Sequence, residues 1–220
     1  RQVGGDITAN LTFDGFSDIL EALLCGTWNN DVLVPGVTRR SFSVLRQFTD
    51  LSGGAKPFHL ATGIEFNTLA LTLSPEALVK AVFGVVGRNV VPGETAPAGA
   101  TYENATTKKA FDAFAGSLAA PAGVHLTELS LNLENGIDPR FVVFDDKTLQ
   151  PKIGKTRATG SMSLHFATSE MIEAFYNADE LALDFSITDP AGNDFQFELP
   201  RILLTGGQPD VEGENRSEER

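Results

Sequence analysis

The sequence predicts a mainly β, antiparallel fold with one or two short flanking helices, and three observations carry that prediction. Residues 63–74 and 123–134 repeat one another, sharing the glycine and three leucine positions. In these copies Leu69, Leu71 and Leu73, or Leu129, Leu131 and Leu133, alternate with Thr68, Ala70 and Thr72, or Glu128, Ser130 and Asn132. Such a period of two marks a strand with one buried and one wet face. The apolar parity also switches at the same place in both copies: Ile64 and Phe66 are out of phase with Leu69, as Val124 and Leu126 are with Leu129. A bend or bulge is expected at each switch. Finally, a strand–helix unit recurs, with Leu11-Thr12-Phe13 echoed by Leu164-His165-Phe166 and residues 17–24 echoed by 169–176. Lettered by resemblance, the units form two related halves in rotated order, a sign of internal duplication.

Taken in order, Ile7, Ala9, Leu11 and Phe13 alternate with polar residues, a half-buried strand. Phe16, Ile19, Leu20, Leu23 and Leu24 then share one helical face, with Ser17 or Asp14 as the expected N-cap and Gly26 as the stop. Residues 28–36 form a polar loop, 38–48 a strand carrying Phe42, Val44 and Phe48, and 50–57 a loop with Gly53-Gly54. After the first repeat strand, Ser74-Pro75-Glu76 turns the chain into a Val-rich return over 79–91, giving a long antiparallel arm. Residues 92–107 lack periodicity, and a loop of that length in a compact domain is usually functional or disordered. Phe111 and Phe114 are expected to pin its far end in a short helix-like piece. Strands at 124–133 and 140–145, the strand–helix echo, and a hairpin of 181–188 and 194–204 around Asp189-Pro190-Ala191-Gly192-Asn193 complete the chain. Residues 1–209 form one β-rich domain on this reading, and 210–220 a charged, apolar-poor, mobile segment.

Composition narrows the function. A chain of 220 residues is long enough for a sizeable core. A formal net charge of −12 and a pI near 4.6 argue against gripping nucleic acid, which requires Lys and Arg against phosphate. The single Cys25 excludes an internal disulfide; it is expected as a small buried apolar group made in a reducing compartment. No apolar run reaches membrane-spanning length, and because the chain opens at Arg1 without Met, a cropped N-terminus is expected. His59, His125 and His165 lack ligand spacing, so neither a metal nor another cofactor is implied. Asp145-Asp146 and Asp179-Glu180 are expected as solvated element ends, no serine sits in a nucleophile elbow, and Gly53-Gly54 and Gly206-Gly207 are expected as turns. No enzyme is indicated.

The segments Thr38-Arg39-Arg40-Ser41-Phe42, Phe48-Thr49-Asp50, 66–75, 131–136, Leu199-Pro200-Arg201 and 205–211, in that order and spacing, resemble the tail tube proteins of long-tailed, non-contractile bacteriophages. The resemblance covers nearly the whole chain. It implies an antiparallel β-sandwich or barrel-like subunit with a flanking helix, similar to the tube proteins of contractile tails and type VI secretion systems. It also implies a structural virion protein: six subunits close into a ring, and the rings stack into a tube around a channel for DNA and the tape measure protein. Implied partners are further copies, the tape measure protein, a tail terminator and a distal tail protein, with assembly in the host bacterial cytoplasm. The sequence departs from the resemblance at its ends, since relatives usually have residues before the first strand and another strand after the Gly-Gly-x-Pro-Asp segment.

On that reading the wet faces of the repeat strands, Thr68, Thr72, Glu128, Ser130 and Asn132, line the channel, where an acidic or neutral wall leaves DNA mobile; the alternative is that they face outside solvent. The 92–109 loop, with Tyr102, Lys108 and Lys109, is the expected contact with a neighbouring ring, or else a solvated excursion. Two other classes stay open. A carbohydrate-binding β-sandwich would use Trp28, the only indole, for sugar stacking. A hydrolase would need two acids gathered in a cleft.

Overall fold

The computed structural model describes residues 3–51, 56–102, 104, 106–145, 147–166 and 170–206. In chain order these form β1 (Val3–Asn10), α1 (Ser17–Leu24), β2 (Phe42–Gln47), β3 (Phe58–Leu73), β4 (Lys80–Gly87), β5 (Asn89–Gly93) and β6 (Gly116–Ala120). Then come β7 (Val124–Glu134), β8 (Asp138–Arg140), β9 (Leu149–Lys152), β10 (Arg157–Phe166), α2 (Glu170–Asn177), β11 (Glu180–Thr188) and β12 (Asp194–Leu203). The strands pair antiparallel throughout and the two helices follow the two copies of the strand–helix unit, so the mainly β expectation holds.

The molecule is organised around β3, whose 16 residues serve two neighbours on each side. Its second half lies between β4 and β7, its first half between β2 and β5. β4 and β5 together form the returning limb of the expected arm, interrupted at Arg88. The main sheet therefore runs β1-β4-β3-β7-β10.

Both parity switches are bulges. Phe66 pairs with Val85 but Thr68 with Gly84, leaving Asn67 as the extra residue of β3. Leu164 pairs with Leu126 but Ser163 with Glu128, leaving Thr127 as the extra residue of β7. Asn67 and Thr127 hold equivalent positions in the repeat. The two copies also lie side by side with Leu71 directly opposite its equivalent Leu131, so a local two-fold relates their pairing.

The leucine face is buried because a second sheet, β12-β11-β6, and helix α1 lie on it. Leu69, Leu71, Leu129 and Leu131 join Leu23, Phe83, Phe111, Phe185 and Ile187 in one apolar cluster. Each such side chain contributes about 1.5–3 kcal/mol by leaving water. Phe195 of β12 packs on Phe13 at 5.5 Å and on Phe111 at 5.3 Å between ring centroids, tying the layers into a sandwich.

Several expectations need correction. Neither Ser17 nor Asp14 caps α1; Phe16 holds that position without a side-chain bond, its ring stacked 5.5 Å from Phe83, so apolar packing fixes the helix start. The stop falls on Cys25, left-handed at φ 50°, one residue before Gly26. Gly26 is needed for close approach, since a Cβ there would lie 2.2 Å from the Val34 carbonyl oxygen. The strand expected over 38–48 begins only at Phe42, because Arg39 and Arg40 are turned to polar partners. The strand expected over 140–145 is absent: β8 ends at Arg140 and residues 141–144 form an exposed hairpin tip. Phe111 is fully buried, as expected of an anchor, but Phe114 is 75% exposed and no helix forms there. β6 had no sequence signal. The Gly53-Gly54 turn, Asp146 and the 210–220 segment lie outside the described residues.

Candidate functional site

The face of the main sheet turned away from the core is built by register. Three rows cross all five strands: Asn10, Lys80, Thr72, Ser130 and Ser161; then Thr8, Val82, Ala70, Asn132 and Thr159; then Asp6, Gly84, Thr68, Glu134 and Arg157. Glu128 lies opposite Ser163, and beyond the Thr127 bulge His125 lies opposite His165. All five residues named from the repeats, Thr68, Thr72, Glu128, Ser130 and Asn132, thus share one surface. Sequence reasoning missed the contributions of β1 and β10, although the alternation of residues 6–10 carried the signal for β1.

The chemistry of this face is that of a weakly acidic, hydroxyl- and amide-rich wall. Three carboxylates, Asp6, Glu128 and Glu134, stand against two cations, Lys80 and Arg157, and the cations are on different rows. A duplex phosphate therefore meets no cluster of positive charge here, and counterion release gives it little affinity. The sheet is open at both edges: among the described residues neither β1 nor β10 has a second strand partner. An unpaired edge presents a row of free N–H and C=O groups to any matching strand.

Two long-range networks hold the wall on its support. Arg39 donates to the buried Glu65 carboxylate of β3, with Nη2 at 2.5 Å and Nε at 3.1 Å, and Nη2 donates also to the Pro151 carbonyl of β9 at 2.9 Å. Asn135, at the end of β7, is fully buried. Its Nδ2 donates to the carbonyls of Leu23 (2.6 Å) and Phe66 (3.3 Å), while its Oδ1 accepts from the Thr156 hydroxyl (2.8 Å). Helix α1, the β3 bulge and the approach to β10 therefore meet on one amide.

The three residues named on the 92–109 loop have different local surroundings. The Lys108 ammonium pairs with Asp14 and lies 5.0 Å from the Phe13 ring centroid, which commits it locally. Tyr102 and Lys109 are exposed. Lys108, Lys109 and Thr107 border an open cleft of about 300 Å³ whose other side is the β11–β12 turn, Asp189 to Asn193. Asp189 accepts from the Asn193 side-chain amide (2.8 Å) and from the backbone N–H of Ala191 (2.8 Å) and Asn193 (2.9 Å). These bonds, the Asn193 side chain first, hold its carboxyl below the usual carboxylate range.

Other candidate chemistry is spent on structure. The Trp28 indole N–H donates to the Ser17 carbonyl at 3.3 Å, against the α1 start, so the ring is partly buried and poorly presented for sugar stacking. Burial pushes the Cys25 thiol pKa up, which keeps it protonated and unreactive. Among the described residues no three His, Cys, Asp or Glu side chains gather as a metal cluster.

An acidic, β-rich wall with two open edges needs a context, and comparison supplies it. The family described as phage tail tube protein matches residues 1–217. The chain belongs to that family. No curated protein matches it. As a phage tail tube protein it is a structural component of the virion tail and assembles into a tube with other tail proteins. Among the described residues no helix is long and apolar enough to cross a membrane.

Proposed function

We propose that this tail tube protein closes into hexameric rings whose stacking makes a channel for DNA and the tape measure protein, with the β1-β4-β3-β7-β10 sheet facing inward. The observation that carries the reading is the conjunction on one sheet of a polar face without clustered cations and two edge strands that have no second partner among the described residues. Joining β10 of one copy to β1 of the next satisfies both edges and closes the polar faces into one wall. Thr68, Thr72, Glu128, Ser130 and Asn132 then line the lumen. The stoichiometry of six, and the tail terminator and distal tail protein as end partners, follow from the family resemblance. Tyr102 and Lys109 reach toward a neighbouring ring, while Lys108, held by Asp14, shapes the base of that loop.

The reading is tested by negative-stain electron microscopy of the full chain at high concentration and of the isolated tails. Six-fold rings or tubes with an axial channel are expected. A closed particle without a channel, or rings of another order, sinks the assembly as stated. Deleting residues 95–105 should leave folded protein that forms rings but no long tubes, and normal tubes would remove the loop from the ring-to-ring contact.

A further inference from the structure

Among the described residues, two loop segments each expose three or more large apolar side chains. One is the tip of the β8–β9 hairpin, Phe141-Val142-Val143-Phe144, exposed along its length, with Phe144 at 104%. Its stem is braced by three bonds to carbonyl groups: Arg88 Nε to Thr148 (3.1 Å), Arg140 Nε to Gln150 (3.0 Å) and Arg39 Nη2 to Pro151 (2.9 Å). Phe144 has φ 68°, a left-handed conformation that a bulky residue seldom holds. The other display is the loop between α1 and β2, where Val32, Val34 and Val37 are exposed, Val37 at 94%. This loop is braced as well, by Gly36 N–H to the Leu24 carbonyl (2.9 Å) and Thr38 N–H to the Cys25 carbonyl (2.8 Å).

We propose that the 141–144 tip of one copy docks on the Val32, Val34 and Val37 surface of a second copy, an inference that rests on the tube-forming reading above. Charge selects the occupant. Two copies of a chain with net charge −12 repel each other over a Debye length of about 8 Å at physiological salt, so their adhesion falls to uncharged groups. The tip is an uncharged run of four. A cationic partner would instead be drawn to carboxylates, which these four residues lack. Because the tip and its receiving surface differ, the contact is head to tail, the kind that propagates into rings or filaments. Two buried Phe rings supply about 150–250 Å² each, so the tip acts as an anchor inside a larger interface of more than about 1,000 Å². Bracing lowers the ordering cost of both surfaces on contact.

Assembly of the full chain, followed by sedimentation and electron microscopy, tests this directly. F141S/F144S should raise the concentration needed for assembly about 10–100-fold, with thermal unfolding of the unassembled protein unchanged. In tubes assembled from F144C protein the new thiol should be shielded from maleimide, and F144C copies mixed with V37C copies should cross-link between molecules on oxidation. Double-variant tubes that form at wild-type concentration, a fully reactive thiol in F144C tubes, or cross-links between F144C copies alone would overturn the docking while leaving the tube reading intact. Wild-type protein that never assembles overturns both.

Discussion

The Arg39 guanidinium joins Glu65 on β3 to the Pro151 carbonyl on β9, and the two charges are unequally buried: the Glu65 side chain is 7% exposed, that of Arg39 26%. The asymmetry sets the order of two substitutions. R39M strands a buried carboxylate and an unpaired carbonyl and should cost about 3–5 kcal/mol, whereas E65Q leaves a guanidinium that reaches water and should cost about 1–3 kcal/mol. The double variant R39M/E65L should be less unstable than R39M alone. Denaturant unfolding of the three proteins checks the order, and equal losses for the two single variants would show that burial does not govern this pair.

Asn135 concentrates three long-range bonds in one buried amide, and its two N–H groups both meet carbonyl oxygens. N135A leaves those acceptors unpaired, for a loss of about 2–4 kcal/mol. N135D keeps the shape but turns a donor into a charge facing two carbonyls, so it should be less stable than N135A at pH 7 and should recover on acidification, as the carboxyl regains a proton. Thermal unfolding at pH 7 and pH 4.5 distinguishes them. An N135D protein as stable as N135A at both values contradicts the assignment of the Nδ2 contacts.

What was legible in the sequence depended on distance along the chain. The alternating leucines and the parity switches are local, so the repeat strands and the bulges at Asn67 and Thr127 could be placed from residues alone. The polar row follows from the same alternation. β6, with Gly116, Ser117 and two alanines, has neither alternation nor β-branched side chains; it is a strand only because β11 pairs with it. Phe141 to Phe144 reads as a strand because an apolar run is normally buried, yet among the described residues nothing covers it. Arg39 gave no hint of Glu65 or Pro151, because pairing across such separations is a product of the tertiary fold. Asn135-Gly136 reads locally as a turn, and the contacts of Asn135 with Leu23 and Phe66 are likewise products of the tertiary fold.

Asp189 gives the β11–β12 turn a pH dependence with a definite sign. Its folded pKa lies below the unfolded value of about 3.9, so its contribution is fully present above that value. The contribution is lost as pH falls through the folded pKa. Unfolding measured from pH 7 to pH 2 should therefore show wild type losing stability more steeply below about pH 4 than D189N, which has no proton to take up there. Parallel curves for the two proteins would mean that the carboxyl is equally acidic folded and unfolded.

The proposed inward placement of the polar sheet face makes a prediction about cargo. Thr72 lies opposite Ser130, two positions along β7 from Glu128, so T72K/E128K places two ammonium groups on adjacent strands of the proposed wall. In the proposed stack of six-membered rings, even a weak phosphate contact would be multiplied along the DNA path, since each neutralised phosphate adds affinity through counterion release. Virions carrying T72K/E128K should eject DNA more slowly, and the delay should shrink as salt rises. Q196K, on the exposed outer face of β12 in the second sheet, supplies the control, because a lysine there lies off the proposed wall and should leave the rate unchanged. Ejection from T72K/E128K virions at the wild-type rate, with tubes assembled normally, would put this face on the outside of the tube.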